Sequence, residues 1–478
     1  MRRGRFSLND LPAWCVLNDV TFVDVRVADI NGRGYGLIAE KDIIDEGGNV
    51  EIPALLTIPK DLILSAEGVE EYAKENKDFR QLLDTAGRRS TRGDILLFLL
   101  VQLVLSSPDY KGGQGPLTPW TQYFSLLPSQ VPTPTMWTES ELAHLKGTSL
   151  ESAVSAKLTV LTKEFDDLRA KAANLPFWDE IFSVDESITI QDWVLLDALY
   201  RSRSLGLPQS GEAMVPCLDL VNHSSEANAY FDENSQGEVI LRLRDGCNVS
   251  LGSEISIDYG REKSPAEMLF SYGFIDPGST ASSLVLPLEP LDDDPLAMAK
   301  LRAFGTPPKL KLVEDKNGIP HWAAPFLYLM CLNEEDGLQF RVLQETDGSR
   351  HLKMLWQDVD ITHEPDMIKD HISNHELYPV FELRVIAVIL SIFQGHLEEL
   401  TSSRDRDMAP GSTREEIWQA VSRLKSLEGR ILERSLGILD EQKTRLLEDD
   451  TVLAYLNSMM PDQNDITAEA ASDEEDFS

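Results

Sequence analysis

The sequence predicts an α+β protein in which a β-rich region carries a long helical insertion and is followed by an all-helical region. Three observations predict it. Short runs rich in β-branched residues and closed by turn residues occupy 20–60 and return at 213–260. Between them, from about 66 to 204, apolar residues recur at three- and four-residue spacing. The same helical spacing dominates 296–460.

The elements follow in order. Val20 to Val27 and Gly36 to Ile38 read as strands flanking Asn31-Gly32-Arg33-Gly34-Tyr35, and Val50 to Ile58 as a third strand closed by Pro59. In the insertion, helices are expected over 94–106, 139–146, 150–174 and 190–204, the last opened by a Thr189/Asp192 cap pair. Tyr230-Phe231, Glu238 to Leu243 and Glu254 to Tyr259 are the next strands. Ser264-Pro265-Ala266-Glu267 supplies an N-cap, a proline at the first helical position and a capping-box glutamate. The short helix it starts should end near Tyr272, with Gly273 as its C-cap. Leu288 to Pro295 reads as a linker, and helices are expected over 296–303, 321–335, 364–372, 380–402 and 414–446. The expected domains are therefore 1–285 with its insertion at about 66–204, a helical domain over 296–460, and an acidic disordered tail over 461–478.

Composition narrows the function. A chain of 478 residues has room for about two to four domains at ~150 residues each. The net charge of −36, from 80 acidic and 44 basic residues, repels phosphate backbones, so nucleic acid is not an expected partner. The same charge steers basic protein partners towards the surface. The four cysteines, Cys15, Cys217, Cys247 and Cys331, are scattered and form no CxxC pair, which argues against a structural metal and for a reducing intracellular compartment. The basic N-terminus lacks the apolar run of a signal peptide. Ile95 to Leu105 is the longest apolar stretch and is far shorter than the roughly 20 residues that cross a bilayer, so no membrane is expected. Location in the nucleus or cytoplasm and a monomeric state are the corresponding expectations.

Three short motifs carry chemistry only when taken together. Gly32, Gly34 and Gly36 alternate, but a dinucleotide fingerprint needs G-x-G-x-x-G and a helix after it, and here a strand follows. Asp219 to Ser224 sets polar side chains, Asn222 and His223 among them, after an apolar entry. His223 has no helical His or Glu partner at i+4 and no neighbouring cysteine, so metal binding is a weak reading of it. Ile255 to Gly260 is an alternating strand that ends in Tyr-Gly, and Tyr272-Gly273-Phe274 follows thirteen residues on. Alone, each is an ordinary turn or a core tyrosine. Their fixed order is far more specific than any member.

That order, GRGYG, then RSRS, then P-x-x-D-x-x-N-H-S, then I-x-x-D-Y-G-x-x-x-S-x-A-E-M-L-x-x-Y-G-F, resembles the SET domain. More narrowly it is similar to the branch typified by the plant Rubisco large-subunit lysine methyltransferase. The motifs cover about 20–280, and beyond 296 the likeness is one of architecture. The resemblance implies a β-rich SET fold with a helical insertion and a helical C-terminal substrate-binding domain. It implies S-adenosylmethionine as methyl donor, no metal, and transfer to a lysine of a non-histone protein, with a basic, ribosomal substrate in keeping with the acidic charge. Methylation of a histidine on the same fold, or a catalytically silent interaction module, is the alternative.

The resemblance also implies roles. Arg33, Gly34 and Tyr35 would contact the methionine end of the cofactor. Arg203 would pair with its carboxylate, with Arg201 close enough in sequence to be confused with it. Asn222 and His223 would hold its amino group and adenine. Asp219 would line the lysine pocket or orient the bend. Tyr259 would face the transferred methyl as the catalytic residue, and Tyr272 and Tyr230 would wall the lysine channel. Two positions depart from the family pattern: Pro265 stands where relatives often have asparagine, and Leu205 lies near a position often aromatic. Leu205 would change how the substrate side chain is gripped, which leaves the degree of methylation open.

Overall fold

The computed structural model describes residues 7–44, 53–110, 117–184, 187–278, 282–291, 293–344, 350–404 and 414–459. The expected acidic tail and the first residues of the strand expected from Val50 lie outside them. Two compact units divide the chain. One comprises Met1–Ala143, Leu150–Ala281 and Thr413–Ala420, the other His144–Ser149, Ser282–Ser412 and Val421–Ser478.

Among the described residues the first unit holds ten short strands: β1 Thr21–Phe22, β2 Val25–Ile30, β3 Gly34–Ala39, β4 Leu56–Ile58, β5 Ser204–Leu207, β6 Gly211–Met214, β7 Asn222–His223, β8 Ala229–Glu233, β9 Val239–Leu243 and β10 Glu254–Ile257. They form two four-stranded sheets, ordered β1-β4-β9-β8 and β2-β3-β10-β7, and a β5-β6 hairpin. The second sheet is mixed. β10 runs antiparallel to β3 but parallel to β7, with Ser256 opposite Asn222 and Ile257 opposite His223. That pairing brings the Asn-His bend beside the strand that leads into Tyr259.

The apolar residues of the helical insertion share one core with those of the strands. Thr91–Ser106 is apolar on every side, and each residue from Ile95 to Val104 is buried. Its one polar member there, Gln102, accepts from the Thr121 hydroxyl at 2.7 Å. Helix Ile190–Arg203 opens on the expected Thr189/Asp192 capping box. It is anchored at Asp197, whose buried carboxylate gathers Arg92 at 2.6 Å, Lys157 at 2.9 Å and Arg201 at 3.5 Å. Three cations around one carboxylate tie separate helices together and fix the end of the helix that bears Arg203.

Helix Pro265–Tyr272 matches its expectation closely: Ser264 accepts from Glu267 N–H, the capping box is complete, and Gly273 is left-handed at φ 84°. A side chain at Gly273 would come within 2.6 Å of the Pro132 backbone, so both conformation and space require glycine there.

In the second unit the expected all-helical architecture needs correction. Two three-stranded antiparallel sheets accompany the helices. One contains β11 Ser283–Pro287, β12 Lys309–Glu314 and β13 Pro320–Ala323; the other contains β14 Leu338–Gln344, β15 Arg350–Trp356 and β16 Val359–Asp360. The α+β class stands, but the stretch expected to be one helix over 321–335 is a strand followed by the helix Pro325–Met330. Pro325 occupies the first turn of that helix and cannot continue a helix from before it. The alternation in Lys309-Leu310-Lys311-Leu312, with both leucines buried and both lysines exposed, is a period of two that helical spacing elsewhere masked. Helix Tyr378–Arg404 is long and apolar enough to cross a bilayer by length and composition. Here its Phe381, Val385, Ile389 and Phe393 join the core formed with Leu310, Leu338 and Trp356.

Candidate active site

The site is built where β3, β10 and β7 end. The hairpin from β2 to β3 turns through Gly32 at φ 74° and Gly34 at φ 73°, and Arg33 N–H closes it on Ile30 O at 2.9 Å. A Cβ on either glycine would meet nothing within 4 Å. Left-handed backbone, not crowding, requires glycine at both. Open space over the turn, with Tyr35 46% exposed beside it, is a surface that a flat or extended ligand can approach.

Gly36 serves differently. A Cβ there would fall 2.6 Å from Asn222 Nδ2 and 3.2 Å from Glu254 Oε1. Its absence lets Asn222 donate to Glu254 at 2.8 Å. The other oxygen of Glu254 accepts from Arg33 at 2.6 Å, and the second amino group of Arg33 donates to the carbonyl of His223. One carboxylate thus joins the glycine turn to the Asn-His bend. Asn228 braces the same strand, donating to Glu254 O at 2.8 Å and accepting from Ser256 N–H at 2.9 Å.

His223 is buried and its ring is occupied on both edges. Nδ1 accepts from the Tyr259 N–H at 3.0 Å, so it carries no proton while that bond is made. Nε2 lies 3.2 Å from Asp276 Oδ2. Burial works against the charge on Asp276, but hydrogen bonds from Gly278 N–H and Ser225 and the nearby His223 ring outweigh it and hold this carboxyl below the ordinary range. A ligand would therefore meet the backbone of His223, not its ring.

Tyr259 donates its hydroxyl to Val221 O at 2.7 Å. Its ring lies 4.7 Å from that of Tyr272 and 5.2 Å from that of His223, and Phe274 stands 6.1 Å from His223. The Tyr272 hydroxyl donates to Tyr259 O at 3.3 Å. Burial pushes the Tyr259 phenol far above its ordinary pKa, so at neutral pH it is a hydrogen-bond donor and not a base.

Arg203 and Asp219 form a second layer. Arg203 Nε stands 3.4 Å from Asp219 Oδ2, and Tyr123 donates to the other oxygen while accepting from Cys217 N–H at 2.7 Å. Burial raises the Asp219 carboxyl, with Arg203 and then the Tyr123 hydroxyl pulling against it. Asp219 is thus enclosed, with Arg203 and Tyr123 against its carboxylate. Neither Arg203 Nε nor Asp219 Oδ2 makes a hydrogen bond within the protein. Arg203 Nη1 donates to Ser202 Oγ at 2.8 Å, and a guanidinium with a donor left over fits a carboxylate-bearing ligand. Arg201 is separated from it in role: its two amino groups bind Phe270 O at 2.5 Å and Thr135 at 2.7 Å.

Arg33, Asn222, His223, Tyr259 and Tyr272 are therefore joined in one network, with Gly34 and Tyr35 on its rim. Tyr230 is not. It lies on β8 in the other sheet, opposite Arg242, and makes no ring contact with the aromatic cluster among the described residues. Glu254, Asp276, Asn228 and Phe274 were missed by sequence reasoning. Glu254 and Asn228 carry no local signal, since their partners come from other strands. Phe274 stood in the Tyr-Gly-Phe motif without being given a role, and Asp276, two residues further on, could have been read with it.

The fold and this arrangement define the SET class. No family model matches the chain. It is 29% identical over 409 residues to SET domain-containing protein 8 of Schizosaccharomyces pombe, covering 84% of this chain and 89% of that protein. It is 25% identical to the chloroplastic Rubisco large subunit N-methyltransferase of Pisum sativum over 68% of this chain and 64% of the pea enzyme. The crystal structure of the SET domain of LSMT bound to lysine and AdoHcy superposes with a TM-score of 0.64 at 20% identity, covering 97% of this chain and 98% of that one. By sequence and by fold the chain is similar to the Rubisco large-subunit methyltransferase-like branch of the SET-domain proteins. Relatives of this chain include proteins named as N-lysine methyltransferases, and the solved structures it resembles carry AdoMet or AdoHcy.

Proposed function

We propose that the chain transfers methyl to a lysine of a non-histone protein, with basic ribosomal proteins the first substrates to examine, and that it acts as a monomer in the nucleus or cytoplasm. The observation that carries the lysine reading is the Tyr259–Tyr272 pair. Two rings 4.7 Å apart present an aromatic wall whose hydroxyls both point at backbone carbonyls. Such a wall is apolar and narrow, and it disfavours an ammonium by desolvation while leaving an amine free to be oriented. The net charge of −36 supports a basic partner.

In this reading Arg33, Gly34 and Tyr35 receive the methionine end of the donor, Arg203 its carboxylate, and Asn222 with the backbone of His223 its amino group and adenine. S-adenosylmethionine supplies an electrophilic methyl on sulfur. The chain contributes orientation and exclusion of water, and Tyr259 holds the geometry without taking a proton. Asp219 acts through Arg203. Tyr230 is assigned to a more distant part of the substrate surface, since it stands outside the aromatic cluster.

The test is incubation with tritiated S-adenosylmethionine and an extract from cells that lack this chain, followed by mass spectrometry of the labelled band. Methyl on a lysine of a non-histone protein is the expected result. Label confined to histones, or to histidine, would overturn the assignment. Calorimetry with S-adenosylmethionine alone checks the first step, and no binding would remove it.

A further inference from the structure

Lys263 lies four residues past Tyr259, in the turn between β10 and helix Pro265–Tyr272. Its ammonium donates to the Tyr259 carbonyl and stands 5.6 Å from the centre of the Tyr272 ring. That same carbonyl accepts from the Tyr272 hydroxyl. Gly260, at φ 132°, makes room: a Cβ there would lie 2.5 Å from Lys263 Nζ. The turn is shaped around this one cation.

The arginines nearby are neutralised. Arg33 pairs with Glu254 at 2.6 Å, Arg203 with Asp219 at 3.4 Å, and Arg261 with Asp258 at 3.4 Å. The Glu267 carboxylate is engaged by Ser264 N–H at 2.7 Å, and the exposed Glu262 makes no ion pair with Lys263. His223 contributes no positive charge while its Nδ1 accepts from Tyr259. Among the described residues Lys263 has no carboxylate partner within ion-pair distance, so no direct ion pair offsets its charge beside Tyr272.

We propose that Lys263 is a positioning residue that admits the acceptor lysine only as a neutral amine. It takes the Tyr259 carbonyl, which would otherwise bind an acceptor ammonium, and its fixed charge repels a second cation beside the same rings. The acceptor gives its proton to bulk water before it enters. The inference rests on the lysine methylation proposed above.

The experiment compares the full-length chain with Lys263→Met and Lys263→Arg. Each is incubated with tritiated S-adenosylmethionine and protein extracted from cells lacking this chain, and incorporation is followed from pH 6 to 10. In Lys263→Met the acid limb of the profile should move up by about one pH unit, because a like charge no longer lowers the acceptor's pKa. Lys263→Arg should restore the limb, and donor affinity by calorimetry should match in all three. A merely structural role would lower incorporation equally at every pH, and arginine would not restore it. An unmoved limb in Lys263→Met, or an equal shift in both variants, overturns the inference. If Lys263→Met fails to fold by circular dichroism, Lys263→Gln carries the same comparison. Absence of label with the unaltered chain would instead sink the methyl-transfer proposal beneath it.

Discussion

The Tyr259 N–H donates to Nδ1 of His223 across 3.0 Å, from a strand end to a bend 36 residues earlier in the chain. This bond makes the histidine a fixture of the protein and gives its proton-bearing edge to Asp276, 3.2 Å away. The Asn-His bend then offers its backbone outwards.

Replacing His223 by alanine leaves the Tyr259 N–H without its partner and Asp276 with only Gly278 N–H and Ser225. The expected cost is about 2–3 kcal/mol of stability, read as a lower Tm, because buried polar groups left unpaired lose their desolvation energy. Donor affinity should fall with it, since the His223 carbonyl also anchors Arg33. Asp276→Asn keeps the shape and should lose much less. Equal Tm in His223→Ala and the unaltered chain would show that the ring carries no structure.

Tyr259→Phe keeps the ring against Tyr272 and deletes the bond to Val221 O. Methyl transfer should drop by on the order of 10²-fold, the scale of a misplaced reacting geometry. Calorimetric affinity for S-adenosylmethionine should survive within about twofold, as the phenol is not among the groups assigned to hold it. Near-normal turnover would remove Tyr259 from the catalytic role.

Gly36→Ala tests the close approach beneath Asn222. The added methyl would sit 2.6 Å from the Asn222 amide, so Asn222 and Glu254 must separate. The expected cost is about 1–3 kcal/mol, with weakened donor binding. Gly32→Ala strains a left-handed turn but meets no neighbour, so its cost should be about 1 kcal/mol. The reverse ranking in urea melts would contradict this division between space and conformation.

Glu141 gives a pH signature. The hydrogen bond from Arg414, at 2.7 Å, is the largest influence and holds the Glu141 carboxyl down at about 2. A depressed folded pKa adds stability that is present above the ordinary value of about 4.5 and is lost as pH falls towards 2. Between those limits Glu141→Gln should lose less Tm on acidification than the unaltered chain. The half-exposed Arg414 keeps the difference modest, and parallel Tm-against-pH curves would refute it.

Much of the candidate site was legible because its signals are local. Ser264, Pro265, Glu267 and Gly273 spell a helix with both ends, and Thr189 with Asp192 opens another. The alternation from Ile255 to Ile257 fixed a strand, and the glycines at 32 and 34 fixed a tight turn. Where local signals overlapped, the reading failed. Prolines 320 and 325 split what looked like one helix, and the β12 alternation was hidden among helical runs.

By itself, then, the sequence determined the capped helices, the strand ends and the order of the three motifs, since propensity, capping and turn conformation act within a few residues. Tertiary structure alone decided which motif residues face one another. Parallel pairing of β7 with β10 put His223 under Tyr259, Gly36 let Glu254 join Arg33 to Asn222, and the two-sheet arrangement set Tyr230 apart from the tyrosines it was expected to join. Those relations depend on register between strands up to about two hundred residues apart, and no local preference encodes them.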